Sequence, residues 1–482
     1  MRPIKQAGLY LGTLALAIAM IVAVLQMGAS LPAPDAAPHT QQAVASLDAT
    51  SGAGALLQNL RSNLDHPLSH LFIQLLVVIA ACRLMGKLFV RIGLPAVVGE
   101  MSAGILLGPS LLGLLAPDAF AFVFPADSLG TLRLLSQVGI CLFMFAVGME
   151  LNVEHVRNKA ATAVAVSHAS IVFPFLLGVI LAYYLFSSMA GPRASFVGFA
   201  LFMGISMSIT AFPVLARILQ ERNMSRTSLG STAITCAAVD DVTAWSIMAF
   251  VVAVAKATSV IASGLTLLLA LAFIAVMTLG VRRALPLWIG SAQLRREEPS
   301  SGTLGIIVCV VLAAALCTEI IGIHALFGAF LAGAIMPDAG EFRRRISALL
   351  EKFSSVLLLP LFFAFTGLRT ELGLLDGLPD WLICFGIIAV ATTGKLGGST
   401  LAARVTGMNW RESLQLGALM NTRGLMELIA LNIGYDLGIL SPRIFTMLVI
   451  MAVITTMMTG PLLTLLGVRQ PQRDGRQEAS RA

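Results

Sequence analysis

Charged side chains are scarce in this chain. Of its 482 residues only 12% are Asp, Glu, Lys or Arg, while 57% are hydrophobic. A soluble globular domain carries about 25% charged residues, and no polar stretch here is long enough to form one. The deficit excludes a soluble protein and indicates one that crosses a membrane many times.

Metal-binding, disulfide and nucleotide-binding patterns are also missing. The six cysteines stand singly in apolar stretches without CxxC spacing, so neither a zinc site nor a disulfide framework is indicated. No GxxxxGK[ST] loop occurs, which argues against an ATP-driven pump, and no TVGYG-like filter occurs either. The formal charge of +7 is explained by bases at cytoplasmic helix ends. We expect no cofactor, no enzymatic activity and no nucleic-acid partner.

Apolar runs of spanning length fill most of the chain. A window of about 20 residues finds them between residues 67 and 468 and predicts an all-α membrane protein with about 13 core transmembrane helices. Base-rich and base-poor turns alternate between the runs. This alternation predicts that residue 70 lies outside, that the C-terminus is cytoplasmic, and that the protein is in the cell (inner or plasma) membrane.

The chain ends are predicted to be separate segments. In residues 1–27, a basic MRPIKQ precedes an apolar stretch and MGAS offers a cleavage position. A signal peptide and an uncleaved anchor helix both fit, although the length of the stretch favours the anchor. Residues 28–66 are expected to form a flexible extracytoplasmic loop, and residues 469–482 a short disordered cytoplasmic tail.

Two apolar runs are interrupted at similar depth in the two halves of the core. SMSITAFPVLARIL (206–219) and LGALMNTRGLMELIALNIG (416–434) carry polar residues, Pro or Gly in mid-span, about 210 residues apart. Interruptions at matching positions indicate a transporter site built from broken helices. We expect two six-span inverted repeats joined by a linker span near 260–281.

Two adjacent carboxylates, Asp240 and Asp241, stand in the apolar run AITCAAVDDVTAW (233–245). One charge inside a membrane costs roughly 2.5–3.5 kcal/mol, so it indicates function. Carboxylate oxygens suit a hard cation such as sodium, and burial favours the protonated form of a carboxyl group. We therefore predict that these two residues bind either a monovalent cation (sodium or potassium) or protons, but not both at once.

Lys395 is the third predicted member of this site. It stands near the middle of a span among small residues that permit close helix approach, in IAVATTGKLGGSTLAA (388–403). One reading is that it pairs with an aspartate and releases a proton when the cation enters. The other is that it is a fixed structural partner of an aspartate.

Further polar residues lie in the interrupted runs, and one lies in an earlier span. Arg423 and Glu427, at i and i+4, can pair on one helix face, and we favour a structural clamp over direct ion binding. Thr210 and Thr422 are placed to satisfy freed backbone groups, to line the ion path, or both. Glu100, one turn inside its span, belongs either to an access route or to an ion pair with a base.

These segments together resemble the monovalent cation:proton antiporter superfamily, in the branch with plant cation/proton exchangers and Kef-type proteins. They run in the family's order: PAVVGEMSAGILLGPSLLG (95–113), LFMFAVGMEL (142–151), SITAFPVLARIL (208–219), AAVDDVTAW (237–245), FFAFTGLRTEL (362–372), GKLGG (394–398) and MNTRGLMELIALNIG (420–434). The resemblance implies the sodium/proton exchanger fold with crossed broken helices. It also implies a homodimer with a dimerisation half and a moving ion-binding half.

The resemblance also assigns roles to residues. The family's ion-binding Asp falls on Asp241, its variable neighbour on Asp240 and its core lysine on Lys395. Arg423 and Glu427 match the charged positions of the second broken helix. An Asp-Asp pair with this lysine resembles the electrogenic arrangement, in which two protons exchange for one cation.

The residues and the resemblance are consistent with two functions. The first is secondary antiport of sodium or potassium against protons by alternating access. The second is a Kef-like potassium efflux channel or transporter. Kef-type proteins carry a C-terminal nucleotide-binding regulatory domain that this sequence lacks, so the expectation is a plain exchanger.

Overall fold

The computed structural model describes residues 58–468, apart from 61, 65, 151–159, 225–226, 257–259, 291–298 and 338–341. The predicted signal or anchor segment 1–27, most of the loop 28–66 and the tail 469–482 lie outside the described residues.

The described chain from residue 67 onward is almost entirely helical. The helices before its midpoint are α1 Pro67–Arg91, α2 Ala96–Leu107, α3 Leu129–Glu150, α4 Ala160–Met189, α5 Phe196–Ser208, α6 Phe212–Glu221, α7 Ser228–Lys256, α8 Val260–Ala275 and α9 Arg282–Ile289. Two short helices, Leu112–Leu115 and Pro117–Val123, lie between α2 and α3, and a π-helical turn, Val276–Val281, joins α8 to α9.

The second part repeats this order. Its helices are α10 Ser301–Ile321, α11 Ala325–Ala334, α12 Phe342–Phe353, α13 Leu359–Leu368, α14 Leu378–Thr392, α15 Gly398–Val405, α16 Trp410–Met420, α17 Leu425–Asp436 and α18 Pro442–Leu465. Each half contains a broken span, α5 with α6 and α16 with α17, followed by one long helix. The segment α8–α9 links the halves, as a linker between two repeats requires.

Local sequence sets where several helices begin. Ser195 accepts a hydrogen bond from the Gly198 amide at 3.1 Å at the start of α5. Asn409 accepts one from the Glu412 amide at 2.8 Å at the start of α16. Such side-chain caps satisfy amides that have no partner inside a helix, which matters most where no water is available.

Among the described residues, 11 helices are long and apolar enough to cross a membrane. Two further apolar runs that count toward the predicted 13 spans, residues 323–336 and 411–435, are not among these 11 helices. The first forms the 10-residue α11, and the second is interrupted between α16 and α17. The all-helical membrane fold is confirmed, while the number of about 13 spans stays a prediction.

The helices associate in two groups. The first helix group consists of α1–α3 and α10–α13, and the second helix group of α4–α7 and α14–α18; helices contact mainly others of their own group. Both broken spans belong to the second helix group. This division places the polar residues of the breaks inside one group, with the other group beside it.

Small residues allow close contacts inside the first helix group. A Cβ added to Gly104 of α2 would lie 2.1 Å from the carbonyl oxygen of Phe363 on α13. The two backbones therefore touch, and only glycine fits at this crossing. Close approach of this kind is how membrane helices gain contact energy, because lipid tails are as apolar as the side chains.

Candidate functional site

The first break separates α5 from α6 at residues 209–211. Ile209 and Ala211 have extended backbone, with ψ of 133° and 96°. Pro213 explains the break, because in a continuous helix its ring would clash with the carbonyl of residue 209 and its missing N–H would leave that carbonyl without a donor. The prediction that this span is interrupted is confirmed.

The second break, at residues 421–424, crosses the first. The Ala211 amide donates to the Thr422 carbonyl at 3.0 Å, and the Thr210 hydroxyl donates to the Met420 carbonyl at 3.1 Å. A Cβ on Gly424 would lie 2.9 Å from a methyl group of Val214, so glycine permits this approach. The predicted crossing of two broken helices is therefore present, and the breaks bond directly to each other.

Two cationic side chains cover the C-terminal end of α5. The Arg423 guanidinium donates to the carbonyls of Ser206 and Met207, each at 2.7 Å. The Lys395 ammonium donates to the carbonyl of Ser208. Carbonyls at a helix C-terminus lack intrahelical partners and carry partial negative charge, so the two cations stabilise this helix end inside the protein.

Asp240 is the acidic centre of the site. The Ser170 hydroxyl donates to its Oδ1 at 2.7 Å, and the Thr210 amide donates to its Oδ2 at 2.9 Å. The Lys395 Nζ lies 3.1 Å from Oδ2, and both charged side chains are 0% exposed. A buried ion pair of this kind is not a source of much net stability, but loss of one partner leaves an uncompensated charge.

Asp241 is also enclosed by protein. Its side chain is 1% exposed, so it faces neither lipid nor open water in this conformation. Neighbouring positions on a helix point about 100° apart. The Asp241 side chain therefore points in a different direction from that of Asp240, which pairs with Lys395, although both aspartates lie at the same height along α7. Two carboxylates are thus held at one level of the second helix group, beside the crossing of the breaks.

Lys395 reaches Asp240 from an irregular turn. The helix from residue 378 to residue 405 is continuous but contains a π-helical segment, Thr393–Gly397, around the lysine. A π-helical turn holds an extra residue and is frequent at functional sites. This turn lies at the level of the α5–α6 break and presents the ammonium to it.

Arg423 and Glu427 form the predicted i, i+4 ion pair. Nη1 lies 3.3 Å from Oε2, and both side chains are 0% exposed. Because Arg423 also binds two carbonyls of α5, the pair connects the second break to the first. This geometry fits the structural clamp better than direct ion binding.

Sequence reasoning missed several residues that hold the site together. Thr456 of α18 accepts from the Arg423 amide at 3.0 Å, and Thr459 lies within hydrogen-bonding distance of Thr422, 3.4 Å between hydroxyls. Ser170 was missed as well. A sequence signal for these residues exists. The segments VITTMMTG (453–460) and SHAS (167–170) place several hydroxyl side chains inside otherwise apolar runs.

Glu100 is not brought to this site. It lies on α2, is 8% exposed, and lines a separate cavity with Arg83, Lys87, Arg91 and Arg217. The structure therefore places Glu100 among bases and away from the two aspartates, and its role in an access route or in an ion pair stays a prediction.

Broken helices that cross around buried ionisable side chains define a secondary transporter of the membrane. The model of the family "Sodium/hydrogen exchanger, transmembrane" matches residues 75–468. The chain belongs to this family, whose members are transporters and not enzymes.

Individual relatives agree with this family. The chain is 44% identical over 391 residues to the Na(+)/H(+) antiporter NhaS4 of Synechocystis sp., covering 81% of this chain and 95% of the relative. It is 39% identical to Cation/H(+) antiporter 17 of Arabidopsis thaliana, covering 85% and 49%. It is 32% identical to K(+)/H(+) antiporter 1 of Saccharomyces cerevisiae, covering 86% and 48%. The chain thus spans about half the length of the plant and yeast relatives.

A solved structure has the same fold. The sodium proton antiporter MjNhaP1 of Methanocaldococcus jannaschii matches with a TM-score of 0.57 and 14% identity, covering 83% of this chain and 99% of that one. At this identity the match shows the fold alone. It supports the all-helical membrane fold described above.

Proposed function

We propose that this chain exchanges sodium or potassium ions for protons at one buried site formed by Asp240, Asp241, Lys395 and Thr210. Exchange of a monovalent cation for protons is the activity of the family to which the chain belongs. The observation that carries the assignment of the site is the fully buried Asp240–Lys395 pair at the crossing of two helix breaks. Intramembrane ionisable groups at such a position indicate an ion or proton path.

The chemistry follows from competition for two carboxylates. In the proton-loaded state Lys395 neutralises Asp240 and a proton neutralises Asp241. A cation that binds between the carboxylates takes over the neutralising charge, so the lysine and the proton are released from them. Because cation and protons compete for the same oxygen atoms, the site transports one in exchange for the other.

Thr210 and the charged clamp act around this centre. The Thr210 amide holds Asp240, and its hydroxyl ties the first break to the second. Arg423 and Glu427 keep the breaks crossed, and Thr422, within the second break, lies within hydrogen-bonding distance of Thr459 on α18. We propose that the first helix group stays fixed in a homodimer while the second moves, carrying the site from one side to the other.

A cavity between the two helix groups supports a route to one side of the membrane. It has a volume of about 550 Å³, and its lining includes Glu319, His324, Asn432 and Asp436. Trp245, one turn beyond Asp241, stacks edge-on against Phe327 of α11 at 5.3 Å between ring centroids. This apolar contact joins α7 of the second helix group to α11 of the first, and Asp241 is 1% exposed in this conformation.

Location and boundaries are part of the proposal. We propose that residues 67–468 form the transport unit in the cell membrane, with the C-terminus in the cytoplasm. The support is the distribution of bases along the chain. Mass determination of the mature chain decides whether residues 1–27 are removed, and cross-linking in the membrane tests the homodimer.

The function is tested by reconstitution. Purified protein goes into vesicles with an imposed pH gradient, and sodium and potassium are added separately while an ionophore clamps the voltage. Cation addition is expected to collapse the gradient, and Asp241→Asn is expected to abolish the effect, while Asp118→Asn, an exposed carboxylate on a connecting helix, leaves it intact. Cation flux without opposite proton movement would instead support the Kef-like efflux route.

A further inference from the structure

A second charged cavity lies away from the transport site. It has a volume of about 310 Å³, and Arg83, Lys87 and Arg91 of α1, Glu100 of α2 and Arg217 of α6 line it. We call it the basic cavity. Its volume is at the lower end of the range for small-ligand pockets, and four bases there face one carboxyl group.

The α1 bases form a continuous stripe. Arg83, Lys87 and Arg91 stand at i, i+4 and i+8, so they share one helix face. Arg83 lies eight residues before the end of the helix, which is about 12 Å along the axis. A base that deep is not explained by the preference of cytoplasmic turns for positive charge, and intramembrane bases of this kind indicate a binding function.

The neighbouring face of α1 is apolar and uncovered. Leu84 and Leu88 of α1, and Ile92 directly after its end, are 68%, 47% and 64% exposed, and each follows one of the bases directly in sequence. A molecule with an anionic head and hydrocarbon tails can therefore place the head in the basic cavity and the tails along this face. A free anion would use only the first of these two surfaces.

We propose that the basic cavity binds the phosphate group of an anionic phospholipid. Arginine side chains bind phosphate oxygens through pairs of parallel hydrogen bonds, and basic pockets between membrane helices are suited to anionic head groups. Glu100 of α2 lines the same cavity. Its carboxyl group packs against Gly86 of α1, with Oε1 3.6 Å from the position that a Cβ on this glycine would occupy. The bases outnumber it, so the cavity retains net positive charge.

The position of Arg217 gives this site a consequence for transport. α6 begins at Phe212, two residues after Thr210, whose amide holds Asp240. The other three bases belong to the first helix group, and Arg217 belongs to the second. A phosphate group bound by both restrains α6 relative to α1, so lipid binding and movement of the broken helix are energetically coupled.

Thermal unfolding of the purified full chain tests the proposal without relying on transport. Phosphatidylglycerol, phosphatidylcholine or inorganic phosphate is titrated into detergent-solubilised protein. Phosphatidylglycerol is expected to raise Tm, and Arg83→Gln with Arg217→Gln is expected to weaken its apparent affinity about 30-fold. The control pair Arg282→Gln with Arg283→Gln removes two exposed bases of α9 and should respond like the native chain.

Three results would overturn the proposal: no response of the native chain to phosphatidylglycerol, an equal response of the Arg83/Arg217 variant, or an equal loss in the Arg282/Arg283 control. A full shift with inorganic phosphate alone would overturn the lipid as the occupant.

If the double variant does not fold, Lys87→Gln replaces it, with an expected weakening of the apparent phosphatidylglycerol affinity of about fivefold. Transport in phosphatidylcholine vesicles with and without phosphatidylglycerol then reports the coupling to α6.

Discussion

Arg369 and Asp436 form an ion pair across the boundary between the two helix groups, with Nη2 and Oδ1 2.7 Å apart. Arg369 directly follows α13, and Asp436 ends α17, the half-helix after the second break. Arg133 of α3 binds the other carboxylate oxygen at 3.0 Å, and Arg369 also donates to Asn432 at 2.9 Å. Two bases of the first helix group thus hold one carboxylate of the second, so movement between the groups must break or reorient these bonds.

Asp436→Asn is therefore expected to destabilise the conformation described here relative to the alternative one. Partly exposed ion pairs contribute about 1 kcal/mol or less each, which corresponds to roughly a fivefold shift in the conformational equilibrium. Pulsed EPR distances between one spin label on each helix group measure the two populations. The control is Asp380→Asn, which breaks the 3.7 Å pair with Arg443 inside the second helix group. Equal populations in the two variants would contradict a role of Asp436 between the groups.

The Asp240–Lys395 pair predicts strong non-additivity. Asp240→Asn or Lys395→Met alone leaves a buried charge without its partner, which costs about 3–5 kcal/mol. The double variant removes both charges and should lose less than the sum, by at least about 1 kcal/mol. Thermal unfolding of the four proteins in one detergent measures this difference. A cycle of Asp240→Asn with Thr278→Val, a threonine bonded only to carbonyls of its own helix, should be additive.

Thr456→Val tests how the second break is held. The Thr456 hydroxyl accepts the Arg423 amide at 3.0 Å, and valine has the same shape without the oxygen. An amide left unsatisfied in a buried position costs about 1–3 kcal/mol, so Tm should fall clearly. Thr278→Val is again the matched control and should change Tm little. If both variants unfold at the same temperature, Thr456 does not support the break.

Gly104→Ala is expected to disturb the α2–α13 crossing. The new methyl group would lie 2.1 Å from the Phe363 carbonyl oxygen, so the helices must separate and lose contact along their length. Overpacking of this kind costs typically about 1–3 kcal/mol. Gly305→Ala in α10 meets no heavy atom within 4 Å and should be neutral or stabilising by up to about 1 kcal/mol. Thermal unfolding of the two variants checks both expectations. If Gly104→Ala leaves Tm unchanged, α2 and α13 are not in close backbone contact at Gly104.

Several of these features were predictable from sequence because their causes are local. Pro213 forbids a continuous helix through residue 209, and the polar run Asn421, Thr422 and Arg423 before Gly424 marks the second break. The partner of Lys395 was not predictable, because Asp240 and Asp241 differ by about 100° of helix rotation and only tertiary contacts set that rotation. The roles of Ser170 and Thr456 were not predictable either. A hydroxyl in an apolar run usually bonds to its own helix, and only the tertiary contacts show that these two bond to other helices. For Glu100 the sequence left an access route and an ion pair with a base open, because only the packing of α2 in the first helix group places it beside bases.

The charge on Lys395 decides whether the exchange responds to membrane voltage. If the lysine gives up its proton when the cation binds, two ionised carboxylates and one cation leave the site with a charge of −1. After two protons return, one to Lys395 and one to Asp241, the charge is 0. One charge then crosses the membrane in each cycle. If the lysine stays charged, the site has a charge of 0 in both states and the exchange is electroneutral.

We predict the electrogenic exchange, because the proposed cation position displaces Lys395 from Asp240 and leaves an ammonium buried without its carboxylate. One charge moved through 100 mV corresponds to about 2.3 kcal/mol, so the sodium gradient held at equilibrium should change about 50-fold per 100 mV. The measurement uses vesicles with a fixed pH gradient, a voltage set by potassium and valinomycin, and sodium as the transported ion. Asp241→Asn vesicles supply the leak baseline. A sodium gradient that is indifferent to voltage would make Lys395 a fixed structural partner and the exchange one proton per cation.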